Sequence, residues 1–151
     1  MTDTIILIGN PVAGGGALKN IKRAVALLED RGCSVQLMLT SKKGDAESFA
    51  KQISADFRVR SQELEKNLPL LVIAAGGDGT YNEVANGLAY SDIPMAILPL
   101  GTTSVLAKEL KMPGGLENAL DVALTGNIRT IHLGRITCIR HSSLVTRHFL
   151  L

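Results

Sequence analysis

Aromatic side chains are scarce in this chain, with three phenylalanines, two tyrosines and no tryptophan in 151 residues. No set of flat rings is available on which successive bases of a single-stranded nucleic acid could stack. Charge of one sign is also lacking, since 16 basic and 14 acidic side chains leave a formal net charge of +2. A polyanion-binding stripe is not expected, and nucleic acid is set aside as a partner. The two cysteines, Cys33 and Cys138, are far apart and show neither CxxC nor His-Cys spacing, so both read as reduced structural thiols. No apolar run reaches the length of a membrane-spanning helix. The start, Met1-Thr2-Asp3-Thr4, has no basic n-region, and the short apolar run after it is no signal core. These absences favour a cytoplasmic protein.

What is present is a chain 46% hydrophobic and 20% charged, the balance of a folded domain with a real core. Its 15 glycines gather where apolar runs end, which marks working turns rather than low complexity. Strands are expected at 4–9, 34–40, 70–75 and 95–98. Helices are expected at about 17–31, 46–58, 81–89, from 104 to just before Pro113, and 116–125. Residues 58–67 are charged and weakly periodic, and read as a helix extension or a surface loop. This βαβα alternation predicts a parallel sheet covered by helices on both faces, a three-layer α/β domain spanning residues 1–127. Residues 128–139 and 143–151 then read as two antiparallel strands joined by Arg140-His141-Ser142. Since the chain stops inside an apolar run, residues 128–151 are expected to begin a second, β-rich domain that is cut short.

The most informative segment is Leu71-Val72-Ile73-Ala74-Ala75 followed by Gly76-Gly77-Asp78-Gly79-Thr80. The apolar run suits a strand buried on both faces. Its glycines free the backbone to turn and leave N–H groups unshielded, and a β-branched side chain at Gly77 is expected not to follow that turn. Thr80 is placed to cap the next helix, and Asp78 is expected to face the ligand, its charge offset by a metal ion. Glu83 reads as electrostatic support for the helix start. In a parallel sheet the loops leaving the strand ends share one crevice. Four qualify here, at 10–16, 40–45, 76–82 and 100–104, and their small residues and bare amides suit a di- or triphosphate. Neither familiar phosphate pattern fits: Gly16 is followed by Ala17-Leu18-Lys19 instead of Lys-Ser/Thr, and Gly14-Gly15-Gly16 lacks GxGxxG spacing. Lys19, Lys42 and Lys43 read as solvated surface residues. His132, His141 and His148 are spaced too irregularly for zinc, and no metal ligand is assigned.

Four ordered segments resemble the diacylglycerol kinase catalytic-domain family, which includes bacterial lipid kinases and sphingosine kinases. They are Asn10-Pro11-x-x-Gly14-Gly15-Gly16, Thr40 with Gly44-Asp45-Ala46, Gly76-Gly77-Asp78-Gly79-Thr80 followed by Asn82-Glu83-Val84, and Leu98-Pro99-x-Gly101-Thr102. Kinases of NAD and of phosphofructose share the Gly-Gly-Asp-Gly loop and sheet; Asn82-Glu83 tips the resemblance towards lipid kinases. The resemblance implies ATP with Mg2+ as donor, contacted by Asn10, Thr40, Gly76, Gly77, Asp78, Gly79, Thr80, Tyr81, Asn82, Gly101 and Thr102, with Asp78 in a catalytic role. It implies a lipid hydroxyl such as that of diacylglycerol as acceptor, reached by transient contact with a membrane surface. A homo-oligomer is compatible with it.

Two departures stand out. Many members carry Gly-Thr-x-Asn-Asp where this chain has Gly101-Thr102-Thr103-Ser104-Val105, and His132 stands where Asp often precedes Leu-Gly. The family's acceptor base and structural magnesium ligands belong to a second domain outside this sequence. An NAD-kinase-like or other small-molecule kinase, and a catalytically silent nucleotide-binding regulator, are the alternative readings.

Overall fold

In a computed structural model, residues 4–62, 70–101, 103–140 and 143–150 are described, with side chains described as far as residue 135 except those of Arg60 and Gln62. Thr102, part of the charged segment 58–67, the expected turn residues His141 and Ser142, and the final Leu151 lie wholly or partly outside that set.

Three of the strands are apolar runs ending in glycine or proline, the second is the more polar Ser-Val-Gln-Leu-Met-Leu, and each joins a parallel ladder. These are β1 (Thr4–Gly9), β2 (Ser34–Leu39), β3 (Leu70–Gly76) and β4 (Met95–Pro99). Their order in the sheet is β2-β1-β3-β4. Gly9 pairs with Leu39 on one side and Ala75 on the other, so the carboxyl ends of the strands finish level. The chain moves outward in one direction from β1 to β2 and in the other from β3 to β4, which creates a switch point between β1 and β3.

Alternation along the strands sorts the core into two layers. Ile6, Ile8, Val72, Ala74 and Ile97 pack against α2 (Asp45–Gln62), α3 (Asp78–Leu88) and α4 (Val105–Glu109) through Ala50, Ile53, Tyr81, Val84 and Ala107. Ile5, Leu7, Ile73, Ala75 and Leu98 face α1 (Ala17–Asp30) and α5 (Leu116–Thr125) through Ile21, Ala24, Leu28, Ala119 and Leu120. The expected three-layer α/β domain is therefore observed.

Boundaries differ from the sequence reading at α3, α4 and β5, and α4, expected from residue 104 to just before Pro113, is only Val105–Glu109. Helix α2 runs on to Gln62, so the start of the charged segment is the helix extension, one of its two readings. Helix α3 begins at Asp78 instead of near Tyr81, with Gly77 as its N-cap; Asp78, Gly79 and Thr80 form a helical first turn, and Thr80 is not the cap. Poor glycine propensity hid this start. Finally, the two-stranded sheet of β5 (Leu133–Arg140) and β6 (Ser143–Leu150) is antiparallel as expected, but β5 starts later than residue 128 because its ladder pairs Leu133 with Leu150. Ile128 and Ile131 precede it as exposed residues.

Helices α2 and α3 meet at Gly87, where a Cβ would collide with the Ala50 methyl and lie 2.6 Å from the Glu47 carbonyl oxygen. Gly→Ala in a helix interior ordinarily gains up to about 1 kcal/mol, whereas overpacking costs about 1–3 kcal/mol. Here the neighbouring atom is backbone and cannot swing away. Gly87→Ala is expected to lower the urea midpoint by a net loss of about 1–2 kcal/mol with an unchanged m-value. A midpoint equal to or above that of the parent would show that the helices separate freely there.

Candidate functional site

The parallel ladder does not stop at the strand ends. Thr40 donates its N–H to the Gly9 carbonyl, Asn10 donates to Ala75, and Leu100 donates to Gly76, each at 2.9 Å. All four expected loops are thus held side by side at the spacing of the strands. Asn10 then shapes its own loop, since its side-chain oxygen accepts from the Val12 N–H at 3.0 Å, an Asx turn.

Small residues let three of these loops touch backbone to backbone. A Cβ at Gly14 would lie 2.8 Å from the Leu100 carbonyl oxygen, and one at Gly101 would lie 3.4 Å from that of Ala13 and 3.7 Å from the Gly77 Cα. Gly76 is small for another reason, because Thr80 folds back over it and its Oγ1 would sit 2.5 Å from an added Cβ. Gly15, Gly77 and Gly79 are different: a Cβ there would meet nothing within 4 Å. Gly77 has φ −119° and ψ −172°, extended backbone that any residue adopts. The expectation that a β-branched side chain cannot follow the turn at Gly77 is therefore corrected. The protein itself leaves room for one, and the space in front of these glycines is an open cradle.

Asp78 is engaged by the segment that follows β4. Its Oδ2 accepts from the Val105 N–H at 2.9 Å, and its Oδ1 from the Leu106 N–H at 3.2 Å and the Ser104 hydroxyl at 3.4 Å. Ser104 Oγ in turn accepts from Ala107 N–H at 3.1 Å, capping α4. The carboxylate expected to face a ligand instead clasps the first turn of the helix after β4. The Val105 N–H is the main cause holding its pKa below the ordinary 3.8, with Leu106 and Ser104 adding to it and burial opposing. Behind the segment 98–104, between α1 and α5, lies a cavity of about 510 Å³ walled by Leu98, Gly101, Ser104, Met112 and Leu116. Leu98 and Leu100 pack in the layer of α1 and α5, Leu100 is bonded to Gly76, and the Asp78 contacts add a tie at the start of α4.

Tyr81, expected at the nucleotide, is wholly buried. Its hydroxyl donates to the Gly76 carbonyl at 2.7 Å, which also accepts from Leu100. Burial chiefly pushes the phenol up to about 12, with Asp78's charge adding and the Ser104 hydrogen bond opposing. Tyr81 supports the glycine turn from beneath and offers a ligand no surface. Asn82 is half-buried, and its carbonyl accepts from Asn86 Nδ2 at 2.7 Å. Thr40 is half-buried at the crevice, while Thr102 falls outside the described residues. Glu83 accepts from the Gly44 N–H at 3.0 Å. That contact joins residues far apart in sequence and had no signal there; the expected purely electrostatic support of the helix start is replaced by a specific bond. Among the described residues, no group of three His, Cys, Asp or Glu side chains could hold a metal ion, and no helix is long and apolar enough to cross a membrane.

Comparison with known proteins agrees with this geometry. Residues 4–136 match the family model described as "Diacylglycerol kinase catalytic domain". The chain is 35% identical over 120 residues to "Probable lipid kinase YegS" of Escherichia coli O6:K15:H31 and, equally, to that of Shigella boydii serotype 18; each alignment covers 77% of this chain and 36% of the relative. The chain thus spans about a third of the length of these curated relatives. Among solved structures, a diacylglycerol kinase from Bacillus anthracis str. Sterne superposes with a TM-score of 0.65 at 23% identity, over 94% of this chain and 47% of that one. The likeness in structure shows the same fold.

Asp78→Ala removes the acceptor for three donors and is expected to cost about 1–2 kcal/mol at neutral pH. Because the folded pKa is depressed, this stabilisation is present above the ordinary 3.8 and is lost as pH falls below it. Urea titrations of parent and variant should show a gap that is constant near neutrality and closes under acid. A gap persisting to about pH 2 would assign the effect to something other than the carboxylate.

Proposed function

Because the chain belongs to the diacylglycerol kinase catalytic-domain family, we propose that its crevice is the ATP-holding half of a lipid kinase. The observation that carries this reading is the open cradle at Gly15, Gly77 and Gly79. Fold and backbone strain do not require glycine at Gly77, yet a ligand approaching the amides at the start of α3 does. N–H groups at the positive end of an 11-residue helix suit phosphate oxygens.

In this reading the amides of residues 77–80 hold the phosphate end of ATP, flanked by Asn10 and Gly101, while Thr40 and Asn82 border the nucleotide. Asp78 acts by setting the distance between the 76–80 and 100–104 loops. Mg2+ arriving with ATP would offset charge on the transferred phosphoryl group. The acceptor is a lipid hydroxyl, of which diacylglycerol is the model, met by transient contact of the protein with a bilayer. Positioning of the donor is this domain's contribution. Activation of the hydroxyl is assigned to the part of the relatives' length that this chain does not span.

Calorimetry with Mg-ATP tests the donor side. The parent chain is expected to bind and Gly77→Val to bind at least about tenfold more weakly, or ~1.4 kcal/mol, with an unchanged circular dichroism melt. Equal affinities would overturn the assignment. Radiolabelled ATP with diacylglycerol-containing vesicles is expected to give no transfer by these 151 residues alone. Robust lipid turnover would overturn the division of labour, and transfer to NAD without vesicles would overturn the lipid acceptor.

A further inference from the structure

We propose that Glu83 is the positioning residue for the loop at 40–44, a latch that fixes this loop against the helix carrying the glycine turn. The consequence for nucleotide affinity rests on the reading of the crevice given above; the latch itself rests on geometry alone.

The loop is closed upon itself by Asp45. One carboxylate oxygen of that residue accepts from the Ser41 N–H and the Ser41 hydroxyl, both at 2.8 Å, and from the Lys42 N–H at 2.9 Å. Such a ring keeps its shape but does not know where to sit. Its position is set by tethers to the rest of the molecule. At one end the Thr40 N–H continues the ladder to Gly9. At the other, Gly44 adopts φ +92°, a conformation costly for any side chain, and a Cβ there would meet nothing. Glycine is thus explained by the backbone dihedral, in the conformation whose N–H reaches Glu83 Oε1 at 3.0 Å.

Glu83 lies one turn beyond Gly79 on α3, and α3 begins at the glycine turn itself. The bond therefore ties the loop bearing Thr40 to the element that places the phosphate-facing amides. It is half-buried, where leaving the Gly44 N–H without an acceptor is costly. A carboxylate used this way needs only its oxygen. A general base or a metal ligand would need its charge.

Glu83→Ala and Glu83→Gln separate these roles, because glutamine keeps an acceptor oxygen and loses the charge. Two readouts are taken on the 151-residue chain: the rate of tryptic cleavage after Lys42 and Lys43, and the dissociation constant for Mg-ATP. Glu83→Ala is expected to speed cleavage and weaken binding, each by about five- to tenfold, while its thermal melt stays cooperative. Glu83→Gln is expected to remain within about twofold of the parent on both. Equal damage by the two variants would overturn the latch in favour of a charge-dependent role, and parent-like cleavage in Glu83→Ala would overturn it outright. Faster cleavage in Glu83→Ala, rescued by Glu83→Gln, in a chain that binds no Mg-ATP would leave the latch standing and overturn the nucleotide reading.

Discussion

Everything at the crevice depends on three backbone hydrogen bonds that carry the parallel ladder one residue past the strands: Thr40 to Gly9, Asn10 to Ala75 and Leu100 to Gly76. A buried amide or carbonyl left unpaired at a strand end is costly. Satisfying these groups with the first residue of each loop gives the loops the register of the sheet. The crevice is consequently not a set of flexible connections that happen to meet. Its floor is as regular as the sheet, and the switch point between β1 and β3 decides which loops are neighbours.

Above that floor, acidic side chains serve as struts. Asp45 closes the loop after β2, Glu83 ties that loop to α3, and Asp78 ties the start of α3 to the start of α4. All three accept from backbone N–H groups, so they fix main chain to main chain. The glycine turn itself keeps open space where side chains at Gly77 and Gly79 would stand, at the end of α3 whose first amides have no partner within the helix. Negative charge is spent inside the scaffold, and the face left to a ligand is made of donors. That polarity is what an anionic ligand requires.

The sheet was legible because β1, β3 and β4 are apolar runs ending in glycine or proline; 4–9 and 70–75 could hardly be anything else. The loops were legible as a group for the same reason, since strand ends locate them. What could not be read was the direction of individual side chains. Asp78 beside two glycines looks ligand-facing in one dimension, and only the juxtaposition of β3 with β4 brings α4 within its reach. Tyr81 likewise appears to follow a loop, whereas the helix starting at Asp78 rotates its ring into the core. The Glu83 to Gly44 bond spans two separate elements, and neither periodicity nor propensity reports on such a pair.

The same geometry accounts for the departure at Gly101-Thr102-Thr103-Ser104. Members with an amide and a carboxylate at these positions have polar groups that this chain lacks, and the loss would be serious if they shaped the loop. Here Ser104 does the shaping with a single hydroxyl, which accepts from Ala107 N–H and donates to Asp78. A hydroxyl can do both at once, as could the amide that many members carry in its place; the carboxylate they carry falls at Val105, which here gives Asp78 only its backbone N–H. Serine at this position is therefore matched to an aspartate that is already committed to the α4 amides. In this chain the clasp between the two loops is made through Ser104 and Asp78, and the spacing of the crevice follows from it.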